Sequence, residues 1–282
     1  MVLVIAAAAL MASLFMLFKV FDRREIPLMP AISVNYLVAL AFGTLYAPPW
    51  QAGDIANLWI PAIGIGILFL LIFYLTGLSA QRAGLAATTV ASRMSLVLTV
   101  IAAVVLYGDR PGWIGWLGIV AALVGVTLSS LVKGSGGVRG AWLLPLLIFL
   151  GNAVIDISVN WMQRMHLTPA TEAVFPALCF ISAALLSVVH VALRDGFATF
   201  TDPGVLIGGG LLGVLNYAAL LMIVRALAYS GLPSSSVYPL MNVCVIMFAT
   251  VASIFLFGER LRKAQWIGIG FAVLALVLIL NA

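Results

Sequence analysis

Charge is scarce in this chain. Only 8% of its 282 residues are Asp, Glu, Lys or Arg, whereas 64% are hydrophobic and the mean hydropathy is +1.22. A water-soluble domain of that composition would have almost no polar surface to present, so lipid is the solvent the sequence requires. Cysteine is nearly absent as well. Cys179 and Cys244 both fall in apolar runs with no second Cys or His at ligand spacing, which argues against a disulfide or a metal site and reads them as small buried hydrophobes. The sequence has no Walker loop, no His-Glu-x-x-His and no Gly-x-Ser-x-Gly, and too few intramembrane acids for a paired-Asp protease. ATP-driven and enzymatic readings are therefore disfavoured, and neither a catalytic residue nor a cofactor is expected. No ring of charges or filter-like run recurs in both halves, which argues against a pore. The formal charge of +5 is spread over many short connections, a pattern that orients a membrane protein and does not imply nucleic acid.

What the chain has in quantity is long apolar runs. Ten are long enough to cross a bilayer, at approximately 2–18, 28–47, 55–80, 84–106, 112–132, 141–163, 169–193, 203–229, 232–257 and 264–281. The breaks carry turn chemistry, as in Arg24-Glu25-Ile26-Pro27, Ala47-Pro48-Pro49-Trp50, Asp202-Pro203 and Gly231-Leu232-Pro233. No connection is long enough to hold a soluble domain. The first run lacks a basic start and a cleavage site before a soluble domain, so it reads as a retained helix and not as a signal peptide. The Gly-rich stretch 133–140 is the natural seam, giving two five-helix halves, 1–133 and 140–282.

The halves repeat each other. Gly108-Asp109-Arg110 followed by Trp116-x-Gly118 returns as Gly258-Glu259-Arg260 followed by Trp266-x-Gly268, with eight residues from Gly to Trp each time. Gly64-x-Gly66 is echoed by Gly208-x-Gly210, and Gly84-Leu85 by Gly231-Leu232. Such duplication is common in transporters whose site lies between two copies of a helical unit, and an odd number of helices per copy makes the copies inverted. Connections after odd-numbered helices hold Lys19, Arg23, Arg24, Arg82, Lys133, Arg139, Arg194, Arg260, Arg262 and Lys263, against Arg110, Arg164 and Arg225 on the other face. By the positive-inside rule both termini lie outside the cytoplasm.

Two five-helix halves, each closing with a fourth helix, Gly-acid-Arg and a fifth helix opening on Trp-x-Gly, resemble the EamA-like branch of the drug/metabolite transporter superfamily over essentially the whole chain. Ala226-Leu227-Ala228-Tyr229-Ser230-Gly231 and Pro239-Leu240-Met241 fit that family's second-half pattern, while the first half has Ser92-Arg93-Met94 where the Pro would fall. The resemblance implies an inner-membrane secondary transporter of small organic metabolites, often an exporter, with a central cavity between the repeats. It also implies cytoplasmic termini, which differs from the charge count. The count is followed because the bias is large.

Polar groups in hydrocarbon are expensive unless satisfied, so intramembrane charges and amides are the candidates for function. Asn152, Asp156 and Asn160 recur every four residues, which puts them on one face of the sixth helix. That face is either a polar seam between helices or a wall of the transport pathway. Asp156 is the one acid placed deep in a span, and a carboxylate there could take up and release a proton during transport. It lies eight residues before Arg164, a spacing similar to that of the working acid of the four-helix small multidrug-resistance branch. Arg93, flanked by Ser92 and Ser95, is the other deep charge. It either pairs with Asp156 to hold the halves together or joins it in bracketing a zwitterion, Arg93 taking a carboxylate and Asp156 an ammonium. Tyr238 and Asn242 flank the Pro239 kink, where a carbonyl can be freed toward a cavity. Tyr74, Asn216 and Tyr217 lie mid-span, where packing and pocket-lining are both open. Glu172 reads as interfacial or as a cap of the seventh helix, Arg225 as an anchoring or snorkelling residue near a helix end, and Asp109 and Glu259 as loop or helix-start residues.

The expectation is an all-α integral membrane protein with ten transmembrane helices. It carries a small polar amine or amino-acid-like metabolite, coupled to protons, by alternating access, with lipid and solute as its partners. One chain supplies both inverted units, so a monomer suffices, with a dimer open. A lipid flippase on the same scaffold is the alternative.

Overall fold

The computed structural model describes residues 1–82, 92, 94–130, 143–257 and 263–281. Among them there is no strand and there are ten α-helices: α1 (Val2–Arg23), α2 (Leu28–Tyr46), α3 (Trp59–Arg82), α4 (Leu96–Tyr107), α5 (Trp113–Ser130), α6 (Leu143–Met165), α7 (Val174–Arg194), α8 (Pro203–Tyr229), α9 (Ser234–Phe257) and α10 (Lys263–Leu280). Short 3-10 turns occur at Pro49–Gln51, Ala56–Leu58 and Phe197–Thr201.

The apolar runs become helices because in hydrocarbon a backbone must satisfy its own hydrogen bonds. They stop where the sequence can leave the helical conformation. Gly108, at φ 68°, closes α4 in the left-handed region and returns its N–H to the Ala103 carbonyl, as a C-terminal glycine does. Five segments are long and apolar enough to cross a membrane by length and composition: Leu28–Gln51, Ala56–Thr76, Leu146–Met165, Val174–Arg194 and Pro203–Tyr229. The apolar runs in α1, α4, α5, α9 and α10 are shorter within the described residues. The expected seam at 133–140 and the start of the expected fourth helix, 84–91, lie outside the described residues. The seventh helix begins five residues later than expected, at Val174, because Thr168 and Thr171 bond each other in a turn ahead of it.

The chain divides into two compact units, each drawing on both sequence halves: residues 1–9, 72–157 and 229–282, and residues 10–71 and 158–228. In the first unit α9 packs on α4, α5 and α10, and α5 lies along α10. Ala121, Ala122, Val243 and Ala275 form a core of small side chains there. A Cβ on Gly118 would meet Ile279, so the start of α5 lies against the end of α10 and the two run antiparallel. The end of α4 is tied to the start of α9: Asp109 Oδ2 accepts the Ser235 N–H at 2.9 Å and the Ser234 hydroxyl at 3.3 Å.

In the second unit α2 packs on α7, with Tyr36 near Phe180 and Gly43 near Ala177, an antiparallel pairing. α8 approaches α2 so closely at Gly209 that a Cβ there would crowd the Ala31 carbonyl. Gly66 brings α3 onto the Cys179 carbonyl of α7 in the same way, and beside it Ser182 donates to the Ile63 carbonyl at 2.9 Å. Without water to drive association, close backbone approach and interhelical hydrogen bonds hold membrane helices together. The outer faces are apolar, with Val105, Leu193 and Phe255 each more than 70% exposed, as a lipid-facing surface needs.

Candidate functional site

The polar groups of the first unit converge on α6. Its apolar stretch places Asn152 and Asp156 one turn apart, and both are half-buried. Asn152 Nδ2 donates back to the Ile148 carbonyl at 2.9 Å and across to the Ser92 hydroxyl at 3.3 Å. One turn later the Thr99 hydroxyl lies 3.4 Å from Asp156 Oδ2, while the Tyr238 hydroxyl donates to the Asp156 main-chain carbonyl at 2.7 Å. The Tyr107 hydroxyl donates to the next carbonyl, Ile157, at 3.4 Å. α6 is thus gripped through its backbone by two tyrosines, one from α4 and one from α9, with the Asp156 carboxylate set against a threonine.

Ser92, Ser95, Asn152, Asp156, Tyr238 and Asn242 therefore belong to one linked network. Ser95 donates to the Ser92 carbonyl at 2.8 Å, and Asn242 to the Tyr238 carbonyl at 3.0 Å, across the turn that holds Pro239. Tyr74 is in the same unit but 38% exposed. Arg93 lies outside the described residues. Thr99 and Tyr107 were missed by the sequence reading, because an uncharged hydroxyl on an apolar helix gives no signal until its neighbour across the helix boundary is known.

Asn160, Asn216 and Tyr217 belong to the second unit. Asn216 Nδ2 donates to Asn35 Oδ1 at 3.2 Å, joining α8 to α2. Asn35, also missed from sequence, is wholly buried with its Nδ2 unpartnered among the described residues, as is Asn160 Oδ1. Tyr217 is buried in packing: its hydroxyl donates to the Ala173 carbonyl at 2.6 Å and its ring meets Phe42 and Tyr46 edge-on over Gly43.

The capping alternative for Glu172 is corrected here: the N-cap position of α7 is Ala173, without a side-chain bond. Arg225 Nε donates to Glu172 Oε1 at 2.8 Å, with Glu172 9% and Arg225 30% exposed. The pairing was invisible in sequence because 53 residues separate them. An apolar surface recess on α10, lined by Ile267, Gly270, Phe271 and Leu274, contains none of these polar groups.

A chain of apolar helices whose polar residues are gathered into linked networks has the build of many membrane proteins, and comparison with known proteins adds a family likeness. Residues 1–131 match the EamA-like transporter family. The resemblance read from the repeated motifs is thus borne out on the first half of the chain. An uncharacterized protein of Haemophilus influenzae (strain ATCC 51907 / DSM 11121 / KW20 / Rd) is 27% identical over 272 residues, covering 92% of this chain and 91% of its own. A protein of known crystal structure superimposes with a TM-score of 0.77 over 98% of this chain and 94% of its own, at 14% identity, a likeness of fold alone. Helices long and apolar enough to cross a membrane, with a first half similar to a transporter family, point to an integral membrane protein.

Proposed function

We propose that the chain is a secondary active transporter that exports a small polar metabolite, an amine or amino-acid-like solute, across the inner membrane in exchange for protons. The observation that carries this reading is the Asp156 carboxylate at mid-helix in α6, set in a hydrogen-bonded network with Thr99, Asn152, Ser92 and Tyr238. A mid-helix carboxylate in contact with a hydroxyl that can donate or accept is suited to carrying a proton or an ammonium in turn. Arg93, Tyr74 and Asn242 complete the proposed site in the first unit, and Asn160 and Asn216 are proposed solute contacts of the second unit taken by itself.

Alternating access would follow from two inverted repeats, 1–133 and 140–282, each of five transmembrane helices. Three contacts support the inversion: α2 with α7, α4 with α9 and α5 with α10 are helices five apart in order, and each pair meets antiparallel. Counterpart helices of inverted copies should run oppositely. The charge bias supports extracytoplasmic termini, and the self-contained pair of repeats supports a monomer.

The experiment is a thermal-shift screen of purified protein against amino acids, amines, nucleosides and phospholipids at two pH values, repeated with Asp156→Asn. Stabilisation by a small amine that weakens at low pH and vanishes in the variant supports the reading. Stabilisation by phospholipid alone, indifferent to the variant, would instead favour a lipid flippase, which liposome scrambling of a labelled lipid would then establish.

A further inference from the structure

Thr99 has one hydroxyl hydrogen and two acceptors for it. Its Oγ1 lies 3.3 Å from the Ser95 main-chain carbonyl one turn back on α4, and 3.4 Å from Asp156 Oδ2 on α6. The side chain is 1% exposed, so bulk solvent does not stand in for either partner. The Ser95 carbonyl already accepts the Thr99 N–H at 3.1 Å, so the helical bond holds whichever way the hydroxyl turns.

The state of Asp156 decides the direction. An ionised carboxylate only accepts, so it draws the Thr99 hydrogen to itself. Once Oδ2 has taken a proton it donates to Thr99 Oγ1, and the threonine hydrogen must turn to Ser95. One proton enters and leaves at Oδ2; Thr99 keeps its own hydrogen throughout. A threonine bonded back to the carbonyl four residues earlier bends its helix, so the turn of one hydroxyl alters α4 at its start. The change has a return path. Ser95 donates to the Ser92 carbonyl, and the Ser92 hydroxyl accepts from Asn152, one helical turn from Asp156 on α6.

We propose that Thr99 is a positioning residue that reads the protonation of Asp156 and passes it to Ser95 and Ser92 through the circuit Asp156, Thr99, Ser95, Ser92, Asn152. This rests on Asp156 being the proton carrier. Among the described residues, the titratable side chains bonded to the Asp156–Ile157 backbone are Tyr238 from α9 and Tyr107 from α4, both on main-chain carbonyls. Arg93 lies outside the described residues.

The test is an infrared pH titration of the carboxylic-acid band of the full chain in proteoliposomes, comparing wild type, Asp156→Asn, Thr99→Val, Thr99→Ala and Thr99→Ser. A band present in wild type and missing in Asp156→Asn belongs to Asp156. Thr99→Val should change that band's frequency and move its pH midpoint by roughly half a pH unit or more in the alkaline direction, because the ionised form has lost a donor. Thr99→Ser should restore both, and Thr99→Ala should reproduce the shift if the valine variant folds poorly. An unchanged band and midpoint in Thr99→Val and Thr99→Ala would overturn the relay while leaving Asp156 as proton carrier. Absence of any band that Asp156→Asn removes would overturn the proton-coupled reading itself, and the relay with it.

Discussion

Asp156 and Glu172 are both carboxylates in an apolar chain, and the contacts described for them differ. Glu172, in the second unit, is 9% exposed and meets the guanidinium of Arg225 at 2.8 Å. Asp156, in the first unit, is half-buried and meets a threonine hydroxyl, which can donate or accept. A permanent cation fixes its partner in the ionised form, and losing either member leaves a charge stranded. A hydroxyl accommodates both forms of an acid. The Glu172 to Arg225 pair is a staple; the Thr99 contact is compatible with a group that changes state. Asp109 stands between them: it is 8% exposed and holds the first turn of α9 through a backbone N–H and a serine.

That contrast sets the order in which stability should respond. Arg225→Ala should have the largest effect, about 2 kcal/mol, reduced from a fully buried pair by the partial exposure of the arginine. Chemical denaturation in detergent would measure it, and Glu172→Gln should lose less, since an amide can still accept. Asp109→Ala should follow at about 1 kcal/mol, the usual loss on removing an oxygen from a helix start, with Asp109→Asn keeping much of the bond. Asp156→Asn should be smallest, under about 0.5 kcal/mol, because Asn can still accept from Thr99 while Tyr238 and Tyr107 hold the α6 backbone without it. A collapse of Asp156→Asn comparable to Arg225→Ala would place both acids in the same structural class.

How far these roles could be read from sequence depended on whether the partners shared a helix. The helices themselves were legible, since apolar runs such as 203–229 coincide with α8 to the residue. Asn152 and Asp156 were legible as neighbours because four-residue spacing is a property of one helix. Thr99, Asn35 and the Glu172 to Arg225 pair were not, because their partners lie on other helices and no local pattern encodes which helices meet. The glycine echo was legible only in part: Gly66 brings α3 onto α7, but the matching close approach of α8 to α2 falls at Gly209, while Gly210, the residue in register, has open space beside it. The duplicated Gly-acid-Arg loop was read as a turn. In its first copy the acid also holds the N-terminus of α9, a contact 126 residues away in sequence. Its second copy and Arg93 lie outside the described residues.

The most direct test is solute-evoked proton movement in proteoliposomes, read with a trapped pH dye. The solute is the amine or amino acid that stabilises the wild-type protein in the thermal screen. Asp156→Asn and Glu172→Gln are compared side by side. Glu172→Gln, though less stable, should keep proton movement within about twofold of wild type, while the well-folded Asp156→Asn should lose it at least about tenfold. Coupled proton movement surviving in Asp156→Asn would contradict the claim that this carboxylate is where transport and protonation meet.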